Sequence, residues 1–124
     1  MKTPVRRPTR VGELIREQIS VLMPELRDPR IGLTTVTEVK MSPDLKHARV
    51  YVAPFGDAAG GKRALAGLES ARRYLQSQVG RRLGLRYTPE LRFELDTSFD
   101  EAQRMERLLR EVAPTKPEEG DDDE

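Results

Sequence analysis

Basic side chains dominate the segment between residues 62 and 86, where Glu69 is the only acid. Guanidinium and ammonium groups at this density can bind phosphate oxygens through charge-assisted hydrogen bonds. Further cations lie near the N-terminus. The basic residues of the two segments are Lys2, Arg6, Arg7, Arg10, Lys62, Arg63, Arg72, Arg73, Arg81, Arg82 and Arg86. The pattern suggests a surface that binds a polyanion, although a solvated surface without a partner accounts for most basic domains of this size.

Side chains for catalysis are scarce by comparison. The 124 residues include no Cys and one His, so thiolate metal sites, disulfides and nucleophile–histidine pairs lack their components. His47 is expected to have a surface or packing role, and Asp44, Asp96 and Asp100 occupy turn or cap positions where aspartate is common. An enzyme would need a base with a positioned partner. The sequence therefore predicts no catalytic residue, no metal site and no cofactor.

The net charge of +1 conceals an uneven distribution. Residues 114–124 carry six acids, one base and two prolines, with no apolar anchor, so they are predicted to be disordered. We expect three regions: a flexible basic arm at 1–9, one folded domain at 10–112 and an acidic tail at 113–124. No apolar run approaches a membrane span or a signal peptide, which favours a cytoplasmic protein.

Hydrophobic periodicity predicts the elements of the first half. A helix is expected over about 10–23, capped by Thr9, stopped by Pro24 and buried through Val11, Leu14, Ile15, Ile19 and Leu22. A strand rich in Thr and Val follows from Thr34 to Met41, with imperfect alternation that indicates a bulge or an edge position. The turn 42–44 then leads into a strand from His47 to Ala53, whose buried face is Ala48, Val50 and Val52.

The segment after the Gly-rich loop 54–61 has the pattern of a long helix, from Lys62 to about Leu83. Its apolar sector comprises Ala64, Leu65, Leu68, Ala71, Leu75, Val79 and Leu83. Arg72 falls in the same sector, where one straight helix would bury its guanidinium at a desolvation cost. A kink near Ala71 is therefore predicted. Arg73, Ser77 and Arg81 lie on the opposite side and should face solvent, whereas Arg82 lies near the apolar sector.

The last elements are a strand and a helix. Leu91, Phe93 and Leu95 alternate with polar residues, which predicts a third strand. Ser98 and Glu101 match a capping box, and the helix that follows is expected to turn Ala102, Met105, Leu109 and Val112 inward. Most of the six aromatic residues occupy inward positions of this scheme, so we expect them in the core rather than on a stacking platform for single-stranded RNA.

The order of elements constrains the topology. A tight turn makes the first two strands antiparallel, and a helical crossover returns the third strand parallel to the second. The fold class is therefore α+β, with a three-stranded mixed sheet and helices packed on one face.

Three ordered motifs resemble bacterial ribosome-binding factor A. They are ELRDPRIGLTTVTEV (25–39), SPDLKHARVYV (42–52) and LRYTPELRFELDTS (85–98), and the resemblance covers about residues 8–112. It implies a type II KH-like domain of order α-β-β-α-kink-α-β-α, in which a kink at an A-x-G sequence replaces the usual G-x-x-G loop. Ala71 matches the alanine of that sequence, and Arg73 stands where its glycine would be.

The resemblance also implies a function. The resemblance implies an assembly factor that binds the immature small ribosomal subunit and its ribosomal RNA without catalysis. We expect this protein to be such a factor and to act as a monomer. Structured RNA is gripped mainly through phosphates and 2′-hydroxyls. The RNA-binding residues would be Arg6, Arg7, Arg10, Lys62, Arg63, Arg72, Arg73, Arg81 and Arg86. The alternative is a KH-like module that binds another protein through a sheet edge or the tail.

Overall fold

The computed structural model describes residues 7–55 and 58–112, and within these ranges it contains four α-helices and three strands. The predicted arm residues 1–6 and the predicted tail 113–124 lie outside the described residues. The elements are α1 (Arg7–Leu22), a 3₁₀ turn (Met23–Leu26), β1 (Thr34–Met41), β2 (His47–Pro54), α2 (Ala58–Ser70), α3 (Arg72–Leu83), β3 (Glu90–Leu95) and α4 (Ser98–Val112).

The sheet has the predicted topology. Its order is β1-β2-β3, with β1 antiparallel and β3 parallel to β2, so the mixed three-stranded sheet is confirmed. The β1–β2 register shifts between Val36 and Glu38, which makes Thr37 the extra residue of a bulge. In the turn, the carboxylate of Asp44 accepts hydrogen bonds from the hydroxyl of Ser42 (2.6 Å) and the backbone N–H of Lys46 (3.0 Å).

The core lies between one face of the sheet and three helices, α1, α2 and α3. The fully buried positions of the sheet are Ala48, Val50, Val52 and Leu91, and those of the three helices include Ile15, Ile19, Leu68, Leu75 and Val79. The opposite face of the sheet carries charged pairs. His47 Nδ1 lies 3.3 Å from Glu90 Oε1, and Arg49 Nε lies 3.5 Å from Glu94 Oε2. His47 therefore lies on the surface, as predicted.

Helix α1 begins at Arg7, three residues before its predicted start, so Arg7, Pro8 and Thr9 are helical rather than part of an arm. Proline is tolerated in a first helical turn because the amide there has no intrahelical partner. Further along, a Cβ on Gly12 would lie 2.7 Å from the carbonyl oxygen of Val39, so the absence of a side chain allows α1 to approach β1. Leu14, predicted to be buried, is partly exposed.

Helix α2 also begins early, at Ala58, so part of the predicted loop 54–61 is helical. Gly61 therefore lies within the helix. A Cβ at this position would lie 2.9 Å from Leu95 Cδ1, so glycine permits close packing of α2 on β3. Glycine usually weakens a helix by about 1 kcal/mol relative to alanine, and here the close contact accounts for its presence.

The predicted kink at Ala71 is confirmed. Ala71 separates α2 from α3, and its φ and ψ of −93° and 2° lie outside the helical range. Its N–H donates to the carbonyls of Gly67 (3.2 Å) and Leu68 (3.1 Å), a bifurcated bond typical of a helix end. The break spares Arg72 from burial, because its side chain remains 36% exposed.

Helix α4 differs from the prediction. Met105 is 57% exposed and Val112 is 78% exposed, and Ala102 and Leu109 are exposed as well, so the inward packing expected of these residues is wrong. The apolar periodicity correctly placed these residues on one face of the helix. It could not show that the other helices already cover the sheet, so that this face stays exposed. Of the described helices, α1, α2 and α3 supply the layer that packs on the sheet.

The start of α4 is held by Asp96 rather than by the predicted capping box. Asp96 Oδ1 accepts hydrogen bonds from the hydroxyl (2.6 Å) and the N–H (2.9 Å) of Ser98, while Oδ2 accepts one from the hydroxyl of Thr37 (2.5 Å). Glu101 accepts a bond from the hydroxyl of Thr97 instead of reaching Ser98. Asp96 thus connects the β1 bulge to the first turn of α4.

We expect this connection to make stability depend on pH. The hydrogen bonds from Ser98 and Thr37 hold the pKa of Asp96 below its usual range. The ionised carboxylate therefore stabilises the folded state above the unfolded pKa of about 3.9, and this contribution is lost as pH falls through the folded pKa. Asp96→Asn should lower the unfolding temperature at pH 6 and change it less at pH 3, as measured by circular dichroism.

Asp100→Asn is the matched control, because it removes an exposed acid from the first turn of α4. Equal pH dependence of the parent and Asp96→Asn would contradict the role of Asp96.

Candidate nucleic-acid interface

Three arginines lie at or beside the helix break, and we call them the kink surface: Arg30, Arg72 and Arg73. Arg30 comes from the loop 27–32, which packs against the end of α2. A Cβ on Gly67 would lie 2.8 Å from Ile31 Cγ1, and Arg30 Nη2 donates to Ser70 Oγ (3.3 Å). The loop therefore brings a distant cation to the kink.

Arg30 is a residue that sequence reasoning missed. Its guanidinium pairs with Asp28, with Nη2 2.7 Å from Oδ2 and Nε 3.1 Å from Oδ1, and its N–H also donates to Oδ1 (2.9 Å). The hydrogen bonds from Arg30, together with the charge of Arg63, hold the pKa of Asp28 below its usual range. The motif DPRIG has the Pro and Gly of a turn, but nothing in its local sequence shows that Arg30 lies beside Ser70. The ion pair fixes the orientation of Arg30 and offsets part of its charge.

The two adjacent arginines after Ala71 differ in their surroundings. Arg72 Nε lies 2.7 Å from Glu69 Oε2, and its Nη1 lies 3.5 Å from Glu90 Oε2. Arg72 therefore connects α2 to the start of β3, and carboxylates offset its charge. Arg73 is exposed and forms no ion pair with any described residue, so it is the better placed of the two to meet a phosphate.

The other predicted cations are spread along the helices and loops. Lys62 and Arg63 are exposed on α2, Arg10 is exposed on α1, and Arg81 is exposed in the last turn of α3. Arg6 lies outside the described residues. Arg82, which the helical pattern placed near the apolar sector, is exposed and donates to Gln18 Oε1 of α1 (3.5 Å).

Arg7 and Arg86 both line a cleft away from the kink, which we call the linker cleft. It lies between the first turns of α1, the β1–β2 turn and the linker 84–89, and it also contains Lys46, which the sequence did not single out. Tyr87 lines this cleft and is 75% exposed. Phe55 and Tyr74 are exposed too, so the expected core position of these three aromatic residues is wrong. They lie in loops or on the outer side of α3, where burial depends on distant neighbours.

A family model described as Ribosome-binding factor A matches residues 7–109, which is most of the chain. The chain belongs to the ribosome-binding factor A family. The family resemblance predicted from the sequence motifs is thereby confirmed. Among curated relatives, ribosome-binding factor A of Citrifermentans bemidjiense is 44% identical over 112 residues, covering 90% of this chain and 94% of that protein. That of Anaeromyxobacter dehalogenans is 52% identical over 108 residues, covering 86% and 78%.

Solved ribosome-binding factor A structures have the same fold. The crystal structure from Thermus thermophilus has a TM-score of 0.64 at 31% identity and covers 71% of this chain and 94% of that one. The solution structure of a Thermotoga maritima ribosome binding factor A has a TM-score of 0.68 at 27% identity and covers 76% and 91%. The α+β, KH-like fold is confirmed. A further Thermus thermophilus coordinate set, fitted into a map of a 30S complex of ribosome-binding factor A, has a TM-score of 0.62 at 30% identity and covers 73% and 96%.

Within residues 7–55 and 58–112, none of the helices is both long and apolar enough to cross a membrane.

Proposed function

We propose that this protein is an assembly factor of the small ribosomal subunit, which binds the immature subunit through its ribosomal RNA and then leaves it. The function is binding and conformational steering, without a bond-breaking step. The family supports this proposal, since a relative's coordinates were fitted into a 30S complex. The observation that carries the RNA contact is the position of Arg63 and Arg73, two exposed arginines on the helices that the Ala71 kink separates.

The break at Ala71 places Arg63 and Arg73 on two separate helices. Structured RNA is recognised mainly through contacts to its phosphates and 2′-hydroxyls, which cations on separate elements can supply. Arg30 holds the neighbouring loop against the kink.

The remaining assignments are parts of the same proposal. The protein acts as a monomer in the cytoplasm, with Arg6, Arg7 and Arg10 adding contacts near the N-terminus. The acidic tail is proposed to compete with RNA for the basic surface, because it carries the opposite charge.

Salt dependence tests the RNA contact. Each phosphate contact lowers the logarithm of the binding constant by about 0.7–0.9 per logarithmic unit of salt. With contacts from Arg63, Arg73 and Arg81, we expect a slope of about −2 or steeper for immature small subunits in cosedimentation. Mature subunits serve as the comparison and should bind more weakly. Affinity that does not change between low and moderate salt would contradict the proposal.

One observation favours a second candidate function, that of a protein-binding module. The apolar side chains of Met105, Leu109 and Val112 are exposed along α4, and an amphipathic helix of this kind can dock in a groove of another protein. This alternative predicts binding that is nearly independent of salt.

A further inference from the structure

The linker cleft has the size of a small-molecule site. Its volume is about 790 Å³, within the range of roughly 300–1,000 Å³ that is typical of ligand pockets. Its apolar wall consists of Val11 from α1, Leu45 from the β1–β2 turn and Leu85 from the linker. Leu45 adopts a left-handed backbone conformation with φ of 64°, which is uncommon for leucine. Three separate segments thus supply apolar surface to one concave site.

Tyr87 provides an aromatic surface in the cleft. Its side chain is 75% exposed, although it is large and partly apolar. The guanidinium of Arg86 lies 5.6 Å from the centre of the Tyr87 ring, the geometry of a cation–π contact. Because most of the Tyr87 side chain is open to solvent, its ring can receive a second planar group by stacking.

The lining is also positively charged. Arg7, Lys46 and Arg86 are exposed cations from three different segments. Asp44 is the acid among the lining residues, and its Oδ1 is already engaged by Ser42 and by the N–H of Lys46. Cations beside an apolar wall match a ligand that combines a negative group with a flat apolar one.

We propose that the linker cleft binds one unstacked nucleotide of single-stranded RNA, with its base against Tyr87 and its phosphate near Arg7, Lys46 and Arg86. Base–aromatic stacking with a basic surround is the usual physical basis of single-strand binding. The inference rests on the proposed function and adds a contact to it. The cleft lies beyond the C-terminal end of α3, whereas the kink lies at its N-terminal end. These ends are about 18 Å apart for 12 residues at about 1.5 Å each.

Fluorescence can test this directly because the chain has no Trp. Tyr87→Trp introduces a single Trp into the cleft, and Met105→Trp introduces one on exposed α4 as the control. We expect a single-stranded RNA oligonucleotide to quench Tyr87→Trp and to leave Met105→Trp nearly unchanged. Double-stranded RNA of the same length should quench neither. Equal quenching of Tyr87→Trp by both RNAs would overturn the proposal, because it would show that no free base is recognised.

A second measurement uses affinity. Tyr87→Ala should weaken oligonucleotide binding at least about fivefold, the lower end of the loss found when a stacked aromatic is removed, and Tyr87→Phe should bind like the parent. Tyr87 is exposed, so unfolding curves should change little. A peptide with the sequence of residues 117–124 serves as a competitor. If it quenches Tyr87→Trp as strongly as the RNA does, the cleft binds acidic peptide and the proposal is wrong.

The nucleotide site in the linker cleft and the RNA contact of the proposed function can be tested separately. If Tyr87→Ala leaves oligonucleotide binding unchanged while binding to immature subunits keeps its steep salt dependence, the cleft assignment fails and the proposed function stands. If subunit binding is also independent of salt, the proposed RNA contact fails as well.

Discussion

Replacing Arg73 and Arg81 together with glutamate should lower affinity for immature small subunits by about 100-fold or more at moderate salt. Both side chains are exposed and form no ion pair with a described residue, so each substitution should change the free energy of unfolding by only about 0.5 kcal/mol. Each lost hydrogen bond to a charged phosphate costs about 1.5–3 kcal/mol, and the new carboxylates repel the backbone. The salt slope of cosedimentation should also become shallower, by about 1.4–1.8 for two lost phosphate contacts.

A matched control exists on α4. Arg104→Glu with Arg107→Glu makes the same change in net charge at exposed positions away from the kink. This control should bind nearly like the parent. Equal losses in both double variants would mean that net charge alone governs binding, and parent-like binding by the Arg73 and Arg81 variant would exclude these residues from the interface.

Leu75→Ala should reduce the free energy of unfolding by about 2–5 kcal/mol, the usual cost of truncating a buried leucine. Leu75 is fully buried, and its N–H donates to the carbonyl of Ala71 (2.9 Å), so it anchors the first turn after the kink in the core. Since small domains are stable by only about 5–15 kcal/mol, the effect should be large in urea unfolding.

Ser77→Ala, at an exposed position of the same helix, is the control and should change the unfolding free energy by less than about 0.5 kcal/mol. A loss below about 1 kcal/mol for Leu75→Ala would show that the kink region is loosely packed.

The sheet and the kink were predictable because local pattern and tertiary structure agree there. Alternation placed Val50 and Val52 on a buried face, and the strand bounds of β1 match the prediction. The kink followed from a conflict that one sequence window contains, since Arg72 occupies the apolar sector of an otherwise regular helix. A buried guanidinium is costly, and a break in the helix avoids that cost by leaving Arg72 partly exposed.

The errors have a common physical origin in non-local contacts. Pro8 and Gly61 resemble helix breakers in sequence, yet the first-turn position of Pro8 and the contact of Gly61 with Leu95 make both compatible with helix. Likewise, Arg30 and Tyr87 gain their places in the candidate sites only because distant segments fold beside them. The hydrophobic pattern of a short stretch of sequence carries no information on which distant segments lie beside it.

The exposure of α4 has a consequence for folding cooperativity. The side chains of Met105, Leu109 and Val112 remain exposed, so unfolding of this helix removes little of the burial that stabilises the core. Isolated helices of about 12–15 residues are marginal in water, and α4 has 15. We therefore expect the later turns of α4 to open locally and separately from global unfolding, so that their amide hydrogens exchange faster than those of the core. The core can stay folded while α4 is ordered or released.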